Sequence, residues 1–201
     1  MPRYRLDAGV TRRVREWEGA VARVPYVDAT DGPDGPIATL YRDIAGLRGR
    51  VLNLHRALAN QPAALRAFMV MSRQVRDDAV LAPNLRELAI LATAQVLEAP
   101  YEQYHHTPIA RAVGVTDAQL AALPTWEQSD AFSPLERAVL GYAQQVSRSR
   151  DVDDATFAAL QQHLSLEEIL DLAVTVGWYH LCAAILGGLR IETEDVAPPP
   201  A

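Results

Sequence analysis

The sequence contains no lysine: all 19 of its basic residues are arginine. That absence removes Schiff-base catalysis, a pyridoxal-phosphate anchor and a phosphate-loop lysine, since each needs a side-chain amine. Cysteine is almost as scarce. Cys182 stands alone, so no intrachain disulfide forms and the disulfide framework of a small secreted scaffold is excluded. The N-terminal stretch MPRYRLDAGVTRRVREWEGA is basic but has no apolar segment of the kind a secretory signal needs. Long hydrophobic runs are few. The longest, VTVGWYHLCAAILGGL, reads as too short for a bilayer span and carries His180 inside it. Positive charge is not in excess either: a formal net charge of -6 argues against a nucleic-acid partner. The expectation is a cytoplasmic, soluble protein with no nucleic-acid and no membrane partner. The arginine-rich, lysine-free composition also points to a GC-rich bacterial gene.

What is present is enough for a good core. The chain has 201 residues, 49% of them apolar, sufficient for one domain with room for an internal duplication. Apolar residues recur at helical spacing in TRRVREWEGAVARV, PIATLYRDIAGLRG, PAALRAFMVMSRQVRDD and LAPNLRELAILATAQVLEA. No segment shows strand alternation, so the fold class expected is all-α. Capping boxes mark helix starts at Thr116 with Gln119, Ser133 with Glu136, and Ser165 with Glu168; Asp153 is a further cap. DATDGPDGP is a loop. The organisation expected is an N-terminal helical extension and loop over 1–49, a helical domain over 50–192, and a disordered tail over 193–201. A faint echo links LRELAILATAQVLEAPYEQYHHTPIARAVGV with LEEILDLAVTVGWYHLCAAILGGLRI, suggesting a duplicated helical hairpin.

The densest chemistry is YEQYHH, residues 101–106. On a helix, Glu102 and His106 lie one turn apart on one face. That face continues through Ile109, Ala110 and Val113, so the pair should point inward. A sheltered carboxylate beside an imidazole suits general acid–base work. Tyr101, Tyr104 and His105 are candidate substrate-binding neighbours, and so is His55 in LNLHRAL, which also reads as a satisfied core histidine. Pro108 favours a kink in this helix. Arg111 falls on the outward face. His105 and His106 diverge by about 100°, so they do not converge on a metal ion. No metal and no cofactor are expected, although a metal held by Glu102, His106 and a distant Glu87 or His55 stays open on residue type alone. Glu87 fits a capping box opened by Asn84.

LRELAIL, then YEQYHHTPIARAVGVTDAQL, then LEEILDLAVTVGWYHLCAAILGGLRIE resembles the carboxymuconolactone decarboxylase and alkylhydroperoxidase D-like (AhpD-like) superfamily over about residues 50 to 192. The resemblance implies an AhpD-like orthogonal helical bundle and a homo-oligomer, as dimer, trimer or hexamer; Trp17, Tyr26 and Tyr41 suit subunit packing. The peroxidase branch uses a glutamate, a Cys-x-x-Cys pair and a histidine. Setting its histidine on His106 puts its glutamate on Glu87 and its thiols on Ala99 and Glu102, so both thiols are missing and disulfide peroxidase chemistry is not expected. The branch without that pair keeps a glutamate four residues before the histidine and acts as a decarboxylase on a carboxylated lactone. The resemblance therefore implies a lyase with His106, Glu102 and Glu87 as catalytic residues, the last acting through a water. An AhpD-like redox protein using an external thiol, or a non-catalytic ligand-binding oligomer, are the alternatives.

Overall fold

The computed structural model describes residues 22–29, 32 and 35–194. Trp17, most of the expected N-terminal helix and residues 195–201 lie outside them. Among the described residues nine α-helices follow in order: α1 (Pro36–Arg48), α2 (Asn53–Leu58), α3 (Pro62–Arg73), α4 (Pro83–Val96), α5 (Pro100–Ala112), α6 (Asp117–Ala122), α7 (Pro134–Ser149), α8 (Asp154–Gln161) and α9 (Leu166–Leu189). A π-helical turn, Gln74–Asp78, extends α3, and a 3₁₀ turn, Leu123–Gln128, follows α6. Among the described residues there is no strand.

Local chemistry sets most of the helix starts. Thr116 and Ser133 each accept from the amide three residues on, while Gln119 and Glu136 reach back to the cap amide. Ser165 and Glu168 do the same for α9, and Asp153 caps α8 by accepting from Thr156 N–H. Proline occupies the first turn of α1, α4, α5 and α7, where its missing N–H costs nothing. Gly114, at φ +98°, provides the left-handed turn after α5.

The chain groups into two compact units, residues 67–188 and the remainder on either side. In the larger unit, α4 packs on α5 and α7, and α7 packs on α8. Leu88, Ala89 and Ala92 of α4, Val139, Leu140 and Ala143 of α7, Leu160 of α8, and Leu172 and Val176 of α9 form a core closed to solvent. All ten residues from Leu85 to Ala94 are buried, so α4 is the central rod of this unit and shows no polar face. In the smaller unit Tyr41 donates to the Val27 carbonyl at 2.6 Å, and Arg56 pairs with Asp28 at 2.7 Å. Asn53 N–H donates to Glu194 at 2.6 Å, which ties down the start of the expected tail.

Two expectations change here. The echo between the two segments does not extend to topology. The first copy breaks into α4 and α5, where Glu98 adopts φ +50° and Pro100 restarts the helix. The second copy has no such break and runs unbroken through α9. The helix also begins earlier than the apolar run, so α9 reaches 24 residues, with a mean hydropathy of 1.7 over an 18-residue stretch, long and apolar enough to cross a bilayer by length and composition. Its Ile169, Leu172 and Val176 belong to the core instead, which accounts for the apolarity of that face.

Candidate active site

Three helices of the larger unit bring four side chains together. α4 supplies Glu87, α5 supplies Glu102 and His106, and α9 supplies Tyr179. Glu87 is 1% exposed and its Oε2 lies 2.7 Å from His106 Nδ1. On the other side of the ring, Tyr179 Oη lies 3.0 Å from Nε2, and Glu102 Oε2 lies 3.5 Å from the same nitrogen. The Tyr179 ring meets the imidazole edge-on with centroids 4.9 Å apart. All four side chains are buried. Glu102 and His106 do share the inward face that their spacing implies.

The holder of the imidazole differs from the expected one. Glu87 is not in a capping box. Ala82 is the N-cap and Pro83 the first helical residue, so α4 starts before Asn84 and Glu87 sits beyond reach of the unpaired amides. Its carboxylate turns inward to His106 and bonds it directly, with no water between. The shorter contact therefore belongs to Glu87 across 19 residues of sequence rather than to Glu102. As a carboxylate, Glu87 only accepts, so Nδ1 carries a proton and donates it. Nε2 is left to face Tyr179 and Glu102.

Burial sets the proton inventory around that nitrogen. It pushes the Tyr179 phenol well above the ordinary tyrosine value, and the Glu102 charge adds to the rise. Tyr179 is thus a neutral hydroxyl at physiological pH, able to donate to Nε2. Burial likewise raises the Glu102 carboxyl, opposed by the positive charges of His106, His105 and Arg76. Burial raises the Cys182 thiol well above its usual range, with Glu102 adding to it, so this residue is no thiolate nucleophile.

The raised Glu102 carboxyl has a consequence for stability. In the folded state it keeps a proton that the unfolded chain gives up at about pH 4.5, so the wild type loses stability as pH rises from there through the folded value. Glu102→Gln has nothing to titrate. Its melting temperature relative to wild type is expected to rise as pH increases from about 4.5 through the raised folded value, with a flat difference well below that. A difference that shrinks with rising pH, in thermal melts across the series, contradicts the assignment.

The other expected site residues are placed as follows. Tyr101 is buried with its ring 4.5 Å from His105, and the half-exposed Tyr104 meets His105 edge-on at 5.0 Å. These three form an aromatic stack on α5, turned away from the His106 direction. His55 is buried in the smaller unit, where its Nδ1 accepts from Leu52 N–H at the start of α2. His180 bonds Ser147 at 3.1 Å, as a packing histidine would. Arg111 is exposed and pairs with Asp117 at 2.7 Å. α5 continues through Pro108 to Ala112. Among the described residues no three His, Cys, Asp or Glu side chains group as a metal needs. The reason is geometric: Glu87 and Glu102 approach opposite nitrogens of His106, and one ion cannot use both.

Sequence reasoning missed Tyr179. It lies 73 residues from His106 in the most apolar helix, where a tyrosine reads as packing. A signal was available: Leu172, Thr175, Val176, Tyr179, Cys182 and Leu186 follow helical spacing and are all buried, so Tyr179 is on the inward face while His180 is one step round.

Residues 62–145 match the carboxymuconolactone decarboxylase family, a span that holds Glu87, Glu102 and His106. The chain is 24% identical over 117 residues to the protein YdfG of Bacillus subtilis (strain 168), covering 57% of this chain and 79% of that one. It superposes on a peroxidase-related protein with an alkylhydroperoxidase AhpD core from Ralstonia eutropha JMP134 with a TM-score of 0.75 at 23% identity, over 88% of this chain and 94% of that one. It is also similar to the debrominase Bmp8, solved with 2,3,4-tribromopyrrole: the TM-score is 0.73 at 20% identity, over 85% of this chain and 91% of that one. At such identities the structural likeness speaks to fold alone. The family match covers residues 62–145, and the helical architecture is similar to that of AhpD-like structures.

Proposed function

We propose that this protein is a cytoplasmic, soluble enzyme performing cofactor-free acid–base chemistry, a decarboxylation or related proton transfer, on a small organic acid or lactone. The observation that supports it best is the buried chain of contacts from Glu87 through His106 to Tyr179, with Glu102 beside the same nitrogen. In a decarboxylation the bond to the carboxylate breaks, carbon dioxide leaves, and its electron pair stays behind as an enolate. His106, as imidazolium, delivers a proton from Nε2 to that carbon and then recovers one from solvent. Glu87 balances the positive charge of the ring while it waits. Tyr179 orients Nε2 and bonds the developing oxyanion or the ring, according to protonation. Proton transfer of this kind supplies ~10²–10⁴-fold, so positioning must supply the rest. Assembly as a homo-oligomer belongs to the proposal, supported by Leu166, Leu170, Val174 and Leu181 exposed along one side of α9.

The test is to incubate the full chain with a panel of carboxylated lactones and unsaturated acids in heavy water. Carbon dioxide release with deuterium entering at carbon supports the reading. A panel in which no member exchanges faster than without protein contradicts it. Redox turnover with an external thiol is the second reading, suggested by the peroxidase-related relative. The buried, strongly raised thiol of Cys182 counts against it. Thiol-dependent peroxide turnover that survives Cys182→Ser and needs His106 would favour it.

A further inference from the structure

We propose that the cleft between α7, α8 and the 3₁₀ turn Leu123–Gln128 is a second small-molecule site, and that it takes an aromatic carboxylate: a flat apolar body with one anionic head. The inference stands apart from the proton-transfer reading above, since none of Glu87, Glu102, His106 and Tyr179 lines this cleft.

The cleft has a volume of about 700 Å³, within the range that holds small organic ligands. Its apolar half is built around Gly141, buried in the interior of α7. A glycine there is unfavourable relative to alanine, and space alone does not demand it. A Cβ at 141 would stand 3.5 Å from Thr156 Cγ2 and 3.7 Å from Trp126 Cη2, both ordinary contact distances. The glycine instead keeps open the gap between the indole edge and α8. Both walls of that gap are held. Arg137 donates to the carbonyls of Trp126, Ser129 and Glu127 at 3.0, 2.7 and 2.7 Å. Its guanidinium carbon lies 5.5 Å from the indole centroid, so the turn is clamped onto α7. Gln145 donates to Asp153 at 2.7 Å and to Thr156 Oγ1 at 2.9 Å, which fixes the start of α8. Trp126 Nε1 is enclosed and has no acceptor, a costly state that an acceptor on a ligand relieves.

The polar half belongs to Arg148. It lies two turns beyond Gly141 on the same face of α7, about 10 Å along the axis, which matches the reach of a two-ring acid. Its side chain donates to Gln144 Oε1 at 3.2 Å, and among the described residues it makes no ion pair. Gln144 is itself buried. A smaller cleft of about 380 Å³ shares Glu127, Gln144 and Arg148 with the larger one, so the two meet at this guanidinium. The charged residues on the larger cleft are Arg137, Arg148 and Glu127. The cleft is thus net positive in a protein of net charge -6, which favours an anion. Arg137 is occupied by three carbonyls, and Arg148 is left as the two-pronged partner of a carboxylate.

The experiment is a calorimetric titration of the full chain with naphthoate and, as the uncharged probe of the same shape, naphthamide. Wild type is expected to bind naphthoate about 10-fold more tightly. Arg148→Gln should remove that preference, weakening naphthoate about 10-fold, the size of one charge-assisted contact, and leaving naphthamide unchanged. Trp126→Leu should weaken both probes about 5- to 10-fold through loss of the aromatic wall. Arg148 is exposed, so Arg148→Gln keeps the fold where Trp126→Leu does not, and the charge comparison then decides. His106→Gln is expected to bind both probes as wild type does. A wild type that binds neither probe or shows no preference, or an Arg148→Gln protein that keeps the preference, overturns the proposal. Binding that needs His106 and ignores Arg148 overturns it too, by moving the probe to the His106 cluster. So does naphthoate affinity that falls as protein concentration is raised, because a second copy of the chain then covers the cleft.

Discussion

Replacing His106 by glutamine is expected to lower turnover by at least about 10²-fold and up to ~10⁴-fold, the range attributable to general acid–base assistance. Glutamine is close to histidine in reach, and its amide can still donate to Glu87, so the packing around Leu88 and Tyr179 need not collapse. It cannot take up and release a proton near neutral pH. The loss should therefore fall on kcat, with KM changed little, because the imidazole is asked to act in the transition state rather than to bind. Steady-state kinetics on any panel member that wild type turns over checks this. A His106→Gln protein with full kcat moves the chemistry elsewhere in the fold.

Replacing Glu87 by alanine is expected to be the most destabilising single change in the larger unit, by about 3–5 kcal/mol. Glu87 is buried beside a buried imidazole, 2.7 Å from Nδ1. Alanine leaves a cavity in the most enclosed helix of the chain and strands the Nδ1–H without an acceptor. Against a typical total of about 5–15 kcal/mol, that loss brings the protein to the edge of unfolding at ordinary temperatures. Glu87→Gln separates the two causes. It keeps the volume and offers an amide oxygen to Nδ1, so its cost should be no more than about 1.5 kcal/mol. It carries no charge to balance the protonated ring, so turnover should still fall. Urea unfolding of the two variants measures the first effect. If both unfold at the wild-type midpoint, the contact contributes nothing to the fold.

The parts of this account that are legible from sequence are local. The caps at Thr116, Ser133, Asp153 and Ser165 need only three neighbouring residues, and the shared face of Glu102 and His106 needs only the helical repeat. The parts that are not legible depend on which helices meet. Glu87 looks like a cap because Asn84 stands three residues before it. Pro83 starts the helix two residues sooner than an Asn84 cap would and frees the carboxylate for α5. Tyr179 arrives from α9, and no periodicity in that segment announces His106 as its neighbour. The resemblance to a family supplied Glu87 as a participant, but it did not show that Glu87 bonds the imidazole directly.

The central claim is that Glu87 fixes the His106 ring through Nδ1 and leaves Nε2 as the working nitrogen. The side-chain nitrogen-15 spectrum of His106, assigned by comparison with His106→Gln and followed across the pH range, tests it most directly. The account predicts a proton on Nδ1 at every pH where the protein is folded, in a strong hydrogen bond that disappears in Glu87→Ala, with Nε2 alone changing state. A neutral ring protonated on Nε2, with a bare Nδ1 facing Glu87, would contradict it.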